Sequence, residues 1–399
     1  MITWILIFII VFTRFTTCQN GFGYKTPPMG WNPYNSFGLN YNEAIIKQHA
    51  DTIASEGYLE VGYRYINLDD GWQAYFIRNI LDKKKLVPDL IKFPSGIKAL
   101  ADYIHDKGLL FGIYSDAGTL TCGDRPGSLD HEYIDIQTFV EWGVDYLKYD
   151  NCHDQGRPTQ LRYKVMGDTI NSVATAAGKN KTIFYSICEW GTTKPWLWGS
   201  GVGGNSWRTT GDINASWPSI VSIIDSQISI TGYGGPGGWN DPDMLVLGFD
   251  EITYDEQVTH YAFWSAMKAP LILGCDLTKI SDTSKALILN KDIISINQDS
   301  RGLSVCQVYN KTDNKASFDI WTGPLSDGYV AILFNRGIEP ISITLDFENH
   351  CHLTGTIEVY DLVKQQSRGD FTNNYTAVNI PKHGVEFIKL IGGNIIDNN

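Results

Sequence analysis

A unit of apolar segment, polar loop and amphipathic helix recurs eight times before residue 300, and this recurrence constrains the fold more than any other feature. The apolar segments, each of strand length, are Pro28–Trp31, Tyr63–Asp69, Leu109–Ser115, Val144–Asp150, Thr182–Glu189, Ser206–Asp212, Gly238–Asp243 and Leu271–Asp276. The helical patterns between and after them are Asn42–Glu56, Gly96–His105, Tyr133–Trp142, Leu161–Ala176, Trp217–Ser229, Tyr254–Met267 and Ser284–Ile296. Alternating strands and helices predict a parallel sheet, and eight such units predict a closed (β/α)₈ barrel, the TIM barrel.

The sequence pattern changes after Asp299. Short β-rich segments separated by turn residues replace the helical units. These segments are Ser317–Trp321, Tyr329–Asn335, Ile341–Leu345, Gly355–Val363 and Glu386–Ile391. We therefore expect the barrel to occupy residues 20–303 and a small antiparallel β-sandwich domain to occupy residues 304–399.

The chain begins with an apolar run, Ile2 to Phe12, that is too short to span a bilayer. We interpret residues 1–19 as a signal peptide, with a buried N-terminal strand as the alternative. A signal peptide places the chain in the secretory pathway, with a lysosomal or extracellular destination. Oxidising compartments allow disulfides and N-glycans. The candidate glycosylation sites are Asn180, Asn214, Asn310 and Asn374.

The formal net charge of −12 is not accompanied by any basic block. A negative net charge without a basic block argues against a nucleic acid and against an anionic membrane surface as partners. No later segment is apolar enough for a membrane span. The sequence leaves the oligomeric state open, a homodimer included.

Lys148 and Asp150 stand two residues apart at the end of the fourth apolar segment. Because side chains alternate faces along a strand, both project to the same face, which is the barrel interior. Burying two opposite charges is costly unless the pair is fully satisfied or used in function. Taken alone, the segment is equally compatible with a structural ion pair.

Polar and aromatic residues also end the other predicted strands, and catalytic residues of a barrel lie at the carboxyl ends of its strands. These candidates are Trp31, Asp69, Asp70, Tyr114, Cys188, Glu189, Trp190, Arg208, Asp212 and Asp243, with Asp241 beside the last. For Asp116 and Asp276 we favour capping of the following helix. Capping does not explain carboxylates, cations and tryptophans on so many strand ends, so the pattern indicates a functional site.

The residue types limit the chemistry. The histidines form no His-x-His at the first strand end, which disfavours a metal-dependent barrel hydrolase, and we expect neither a metal nor another cofactor. No Gly-x-Ser-x-Gly motif is present. Several carboxylates with flanking aromatic residues suit sugar chemistry, in which one carboxylate attacks, another protonates the leaving oxygen and an aromatic face contacts the ring. This combination favours a glycosidase over a lectin.

Seven motifs resemble those of the eukaryotic α-galactosidases of glycoside hydrolase family 27, in order and spacing over nearly the whole chain. They are Pro27–Asn32, Leu68–Trp72, Gly112–Asp116, Lys148–Cys152, Cys188–Gly191, Arg208–Asp212 and Gly237–Met244. The resemblance implies a retaining exo-glycosidase that removes terminal α-galactose, with a carbohydrate as its partner. It implies that Asp150 is the nucleophile and Asp212 the general acid and base.

The same resemblance implies the sugar contacts. Asp69 and Asp70 would bind the axial 4-hydroxyl and the 6-hydroxyl, and Lys148 would hold hydroxyls beside Asp150. Arg208 and Asp243 would bind the 2- and 3-hydroxyl side, with Trp31 packed near the ring. The remaining strand-end candidates, Tyr114, Cys188, Glu189 and Trp190, are also expected to line the galactose site.

Trp190 bears on the choice between substrates. In the related α-N-acetylgalactosaminidases small residues make room for an acetamido group, so the bulky Trp190 favours galactose. An α-N-acetylgalactosaminidase and a catalytically silent lectin on the same scaffold are the alternatives. We also expect an acidic pH optimum.

The resemblance further implies a disulfide between Cys122 and Cys152. A second family disulfide is missing, because Gly71 replaces one cysteine and no partner stands near Leu39 and Asn40. The pairing of Cys188, Cys275, Cys306 and Cys351 is left open. Because Asn214 lies two residues beyond Asp212, we expect its sequon to be unoccupied or its glycan to point away from the site.

Overall fold

The computed structural model describes residues 24–79, 84–176, 183–313 and 316–396. The expected signal peptide, residues 1–19, and the Asn180 sequon lie outside these ranges.

Most strands of the first domain build one large parallel sheet. In chain order they are β1 (Met29–Trp31), β2 (Tyr65–Asn67), β3 (Gln73–Asn79), β4 (Lys85–Pro88), β5 (Leu110–Asp116), β6 (Tyr146–Asp150), β7 (Phe184–Ile187), β8 (Ser206–Arg208), β9 (Trp239–Asp241) and β10 (Leu271–Leu273). Eight of them pair in the order β10-β1-β2-β5-β6-β7-β8-β9. Each of these eight falls within a predicted segment or overlaps it, which confirms the predicted barrel strands. The antiparallel hairpin β3–β4, inserted after β2, was not predicted.

The two ends of this sheet are joined by backbone hydrogen bonds from Leu245, which follows β9. Its N–H donates to the carbonyl of Ile272 at 2.8 Å, and its own carbonyl accepts the N–H of Gly274 at 2.9 Å. These bonds connect the β9 end to β10 and close the sheet into a barrel.

Helices pack outside the sheet. They are α1 (Tyr34–Phe37), α2 (Glu43–Ser55), α3 (Ile97–Asp106), α4 (Glu132–Trp142), α5 (Thr159–Ala176), α6 (Trp217–Gln227), α7 (Tyr254–Ala266), α8 (Asp282–Ile288) and α9 (Lys291–Asn297). Five of them (α2, α6, α7, α8 and α9) begin at side-chain caps. Thr253 forms a capping box with Glu256 at the start of α7. The single helix predicted over Ser284–Ile296 is wrong: Asn290 accepts hydrogen bonds from the N–H groups of Asp292 and Ile293 and starts a second helix there.

The second domain is an antiparallel β sandwich. Its strands are β11 (Cys306–Thr312), β12 (Ser317–Leu325), β13 (Gly328–Asn335), β14 (Ile341–Asp346), β15 (Leu353–Asp361), β16 (Gln366–Thr372), β17 (Asn374–Ile380) and β18 (Val385–Ile395). Six form a sheet in the order β11-β12-β13-β18-β15-β16, and β14 pairs with β17. One short helix, α10 (Phe347–Cys351), was not predicted. The predicted domain boundary at 303/304 falls between α9 and β11.

Helix α7 lies between the two domains. Its residues from Glu256 to Ala266 are all buried. Phe263 packs edge-on against Trp321 of β12 and Phe334 of β13, with ring centroids 5.3 Å apart in both pairs. The barrel and the sandwich therefore share an apolar contact instead of being joined only by the chain. Among the described residues, no helix combines the length and apolar character that crossing a bilayer requires.

Candidate active site

The carboxyl ends of the barrel strands surround an open cavity of about 370 Å³. Nine of the predicted site residues line it: Asp69, Asp70, Tyr114, Lys148, Asp150, Trp190, Arg208, Asp212 and Asp243. They come from different strands, so the closed sheet brings together residues that are far apart in sequence.

Asp150 is the last residue of β6 and is only 6% exposed. The hydroxyl of Tyr114, on the neighbouring strand β5, donates to Asp150 Oδ2 at 2.9 Å. The N–H of Asn151 donates to its Oδ1 at 3.1 Å. Burial raises the pKa of Asp150 to about 6, although Lys148 and the Tyr114 hydrogen bond act in the opposite direction. A buried carboxylate with donors on both oxygens is held in one orientation.

The direct partner of Lys148 is Asp69. Lys148 Nζ lies 2.7 Å from Asp69 Oδ2, and the side-chain amide of Asn32 donates to the same oxygen at 2.7 Å. Burial alone would lower the pKa of Lys148, but Asp69 and other neighbouring negative groups raise it well above its ordinary value. Lys148 is therefore a permanent cation, paired across the cavity wall and close enough to Asp150 to influence its pKa.

Asp70 is held from the loop that follows β5. Thr121 Oγ1 donates to Asp70 Oδ1 at 2.8 Å, and the N–H of Gly123 donates to Oδ2 at 2.6 Å. Between these donors, Cys122 forms a disulfide with Cys152, with 5.2 Å between the two Cα atoms. The disulfide that the resemblance implied is thus present, and it ties this loop to the one that follows Asp150.

Arg208 joins the two carboxylates on the opposite wall. Its Nη2 lies 3.0 Å from Asp212 Oδ1 and its Nη1 lies 3.0 Å from Asp243 Oδ1. Arg208 and Asp243 are buried, whereas the Asp212 side chain is 66% exposed. Burial would raise the pKa of Asp212, but the positive charges of Arg208 and Lys148 outweigh it and lower that pKa. The two candidate catalytic carboxylates, Asp150 and Asp212, therefore have different environments and pKa values shifted in opposite directions.

Asp243 has a left-handed backbone, with φ of 86°. Such a conformation is strained for a residue other than glycine. The indole N–H of Trp264, on α7, donates to the Asp243 carbonyl at 2.6 Å, and the N–H of Ile213 donates to Asp243 Oδ2 at 2.7 Å. These contacts hold the strained residue in the position that faces Arg208.

Three predicted residues, Trp31, Glu189 and Cys188, do not line the cavity, and for Trp31 and Glu189 this corrects the assignment. Trp31 is fully buried in the layer between β1 and α2, where it stacks on His49 at 4.1 Å and its indole donates to the Cys275 carbonyl. Glu189 is one residue beyond Cys188 and points to the opposite side, because side chains alternate along an extended chain. There its Oε2 accepts hydrogen bonds from Thr192 and Thr193.

Tyr34 is a cavity residue that the sequence analysis missed. It lies at the start of α1, three residues after Trp31, and its ring centroid is 5.7 Å from Lys148 Nζ. The signal that could have found it is the aromatic residue that follows the strand end. Trp190 reaches the cavity through a left-handed turn, with φ of 59°, that directs its ring back over the site.

Cys188 lies beneath this cavity, in a smaller polar cavity of about 30 Å³ that Arg208, Asp241 and Asp243 also line. Its Sγ is 3.7 Å from Arg208 Nη1. Burial raises the pKa of Cys188 well above its ordinary value, so the sulfur is a neutral thiol. Burial likewise raises the pKa of Asp241 to about 6.

Neither Asp116 nor Asp276 caps a helix, contrary to our expectation. Asp116 is fully buried beside Asp150 in the β5–β6 register and accepts the N–H groups of Gly118 and Cys152. Asp276 accepts hydrogen bonds from Thr278. Both carboxylates stabilise loops, because the chain turns before the next helix begins.

Comparison with known proteins places this geometry among sugar hydrolases. The family model for alpha galactosidase A matches residues 26–299, and the model for the alpha galactosidase C-terminal beta sandwich domain matches residues 315–390. The α-galactosidase of Cyamopsis tetragonoloba is 46% identical over 333 residues, which are 83% of this chain and 77% of that protein.

Solved structures agree with the sequence relatives. α-Galactosidase I from Mortierella vinacea superposes with a TM-score of 0.86 at 38% identity, covering 93% of this chain and 98% of that one. A Saccharomyces cerevisiae α-galactosidase with raffinose gives a TM-score of 0.86 at 29% identity, covering 94% and 99%.

Proposed function

Because this chain belongs to the α-galactosidase family, glycoside hydrolase family 27, and hydrolyses α-galactosides, we propose that Asp150 and Asp212 carry out the reaction as a retaining double displacement. Asp150 attacks the anomeric carbon while Asp212 donates a proton to the departing oxygen. Water, deprotonated by Asp212, then releases galactose from Asp150. The observation that carries this proposal is the pair of carboxylates on opposite walls of one cavity, one buried beside Lys148 and one exposed beside Arg208.

The sugar-binding roles follow from the position of each group. Asp69 pairs with Lys148 and acts on the pKa of Asp150, so we assign it to the axial 4-hydroxyl. Asp70 is one residue farther from the strand and bonded to the outer loop, so we assign it to the 6-hydroxyl. Arg208 and Asp243 bind the 2- and 3-hydroxyl side, and Tyr34 supplies the aromatic surface that we had assigned to Trp31.

The outer part of the cavity sets the substrate class. Asn214, Ala215, Phe249 and Glu251 line the cavity together with Asp212, and we place the leaving group against them. This mixed surface suits the sugar of an α-galactosyl oligosaccharide, and the yeast relative whose structure includes raffinose supports that choice. The position of Asn214 in the cavity lining favours an unoccupied sequon there.

The pH profile should report the opposite pKa shifts of the two carboxylates. Catalysis needs Asp150 ionised and Asp212 protonated, so the pair must carry one proton between them. Between the lowered pKa of Asp212 and the value of about 6 at Asp150 the pair carries one proton, which lies mostly on Asp150. The productive form, with that proton on Asp212, is a minor fraction that stays constant across this window and is lost on either side of it. We therefore expect kcat/KM for raffinose to be bell-shaped, with an acidic optimum and a decline above about pH 6. A profile centred near pH 8 would contradict the assignment.

The variant Asp212→Asn provides the control when it is assayed with α-galactosyl fluoride. Fluoride leaves without a proton, so only the ionisation of Asp150 should matter for this substrate. The rate should rise with pH and then stay level. A persistent decline at alkaline pH in this variant would argue against Asp212 as the proton donor.

Trp190 should determine the preference for galactose. Its ring lines the cavity, and we place the acetamido group at C2 of the alternative substrate against this ring. We expect p-nitrophenyl α-galactoside to be hydrolysed at least about 100-fold more efficiently than the α-N-acetylgalactosaminide, because fitting the larger group costs a few kcal/mol. The ratio of the two kcat/KM values measures this, and faster turnover of the acetamido substrate would refute the choice.

We further propose that the chain is secreted or delivered to lysosomes after removal of residues 1–19, with the barrel over 20–303 and the sandwich over 304–399. The apolar N-terminal run supports this route. So does the Cys122–Cys152 disulfide. Asn310 and Asn374 are exposed on the sandwich domain and are suitable glycosylation sites.

A further inference from the structure

Lys92 connects two loops of the active-site face. It lies between the β3–β4 hairpin and helix α3. Its Nζ donates to the carbonyl of Leu39 at 2.6 Å and to the carbonyl of Gly71 at 3.0 Å. Leu39 belongs to the loop that follows β1, and Gly71 directly follows Asp69 and Asp70 at the end of β2. One ammonium group thus links the first two strand-end loops of the barrel.

The linked loops enclose the Asp70 carboxylate. A Cβ on Gly71 would lie 3.2 Å from Leu39 Cδ2, and a Cβ on Gly123 would lie 3.1 Å from Leu39 Cδ1. Leu39 therefore fills the space between two glycines. Gly71 follows Asp70 in the chain, and Gly123 donates its N–H to Asp70 Oδ2. A shift of Leu39 would move both neighbours of this carboxylate.

Lys92 is itself fixed at several points. Its N–H and that of Ile91 both donate to Asp89 Oδ1, and its carbonyl accepts the N–H of Glu43 at the start of α2. Its Nζ lies 5.9 Å from the ring centroid of Tyr41, whose hydroxyl donates to the Asp69 carbonyl. Hydrogen bonds from a charged donor are stronger than neutral ones, so the ammonium can hold the Leu39 and Gly71 carbonyls together across this gap.

We propose that Lys92 is a positioning residue that keeps Asp70 in place for the 6-hydroxyl of galactose. The inference rests on the proposed role of Asp70. The outer edge of the sugar site, around Asp70, then depends on the two hydrogen bonds of Lys92. The inner part, built on Lys148 and Asp150, does not depend on them.

The variant Lys92→Met tests this, because methionine keeps much of the side-chain length and removes every donor. The readout is the inhibition constant of D-galactose and of L-arabinose against aryl α-galactoside hydrolysis. L-Arabinopyranose has the ring configuration of galactose but lacks the hydroxymethyl group. We expect the galactose constant to rise about tenfold and the arabinose constant to change by less than about twofold. Equal changes for both sugars, or no change for galactose, would overturn the proposal.

Matched variants separate this result from a general loss of structure. Lys92→Arg keeps two donors and should retain near-normal discrimination between the sugars. Lys98→Met removes an exposed lysine that pairs with Asp102 on α3 and should change neither constant. Asp70→Asn should abolish the difference between the inhibition constants of galactose and arabinose. If Asp70→Asn does so and Lys92→Met does not, the role of Lys92 fails alone; if the wild type neither binds galactose nor hydrolyses the galactoside, the proposed function fails.

Discussion

Replacing Asp150 with asparagine is expected to reduce kcat on aryl α-galactosides by roughly 10⁴-fold. The amide is nearly the same size and can still accept the Tyr114 hydroxyl, but it cannot attack the anomeric carbon. The effect should appear in kcat, since the sugar contacts from Asp69, Asp70 and Arg208 remain. Single-turnover and steady-state rates on p-nitrophenyl α-galactoside would measure it.

The same substitution should not destabilise the protein. Burial raises the pKa of Asp150 to about 6, above the value of about 3.9 expected in the unfolded chain. A carboxyl with a raised pKa makes its ionised form unfavourable in the folded state, and this penalty grows as pH rises from about 4 through 6. At neutral pH the amide removes the penalty, so the melting temperature should stay equal or increase.

Two controls sharpen the result. Asp168→Asn, in an exposed pair with Lys164, should leave activity unchanged. Azide should rescue Asp150→Gly and give the β-galactosyl azide, whereas Asp212→Gly should give the α-anomer, because only the first variant lacks the nucleophile. Hydrolysis of the galactoside at wild-type rates by Asp150→Asn would refute the nucleophile assignment.

Replacing Arg208 with leucine is expected to lower the free energy of unfolding by about 3–5 kcal/mol as well as to abolish activity. Arg208 is 3% exposed and pairs with both Asp212 and Asp243. Its loss leaves the Asp243 carboxylate buried without its cation, on a strained backbone. Urea unfolding at neutral pH measures the difference.

A second substitution shows whether the buried charge is responsible. In Arg208→Leu/Asp243→Asn the orphaned charge is gone, so part of the lost stability should return although activity does not. Arg157→Leu breaks an exposed arginine–aspartate pair with Asp130 and should have little effect on stability. No recovery in the double variant would mean that Arg208 stabilises the fold by packing alone.

Much of the barrel could be predicted because the apolar segments of the sequence coincide with its strands. Each apolar segment contained or overlapped a strand, although five of the eight strands ended two to four residues before the predicted end. The polar residue at a strand end faced the cavity when it lay on the inner face, as Lys148 and Asp150 do. Prediction failed where the chain left the strand. Beyond Ile187 the left-handed turn at Trp190 decides which side chain faces inward, and beyond Trp31 the short helix α1 brings Tyr34 to the site.

Contacts between residues of different elements could also not be predicted from the sequence. The alternation along β6 placed Lys148 beside Asp150, but its ion-pair partner is Asp69, in the loop that follows β2. The β3–β4 hairpin and the break at Asn290 depend on tertiary contacts and on a cap inside an otherwise helical pattern. Such features require the neighbouring elements to be in place first.

Helix α7 has a consequence for how the chain can be divided. Because it is buried on every side between the barrel and the sandwich, neither domain could be expressed or exchanged alone without exposing an apolar surface that includes Phe263. Trp264 of the same helix donates a hydrogen bond to the Asp243 carbonyl. The sandwich covers this helix and therefore also shields the cavity wall at Asp243 from solvent. A chimaeric enzyme built from relatives should therefore take both domains from one parent.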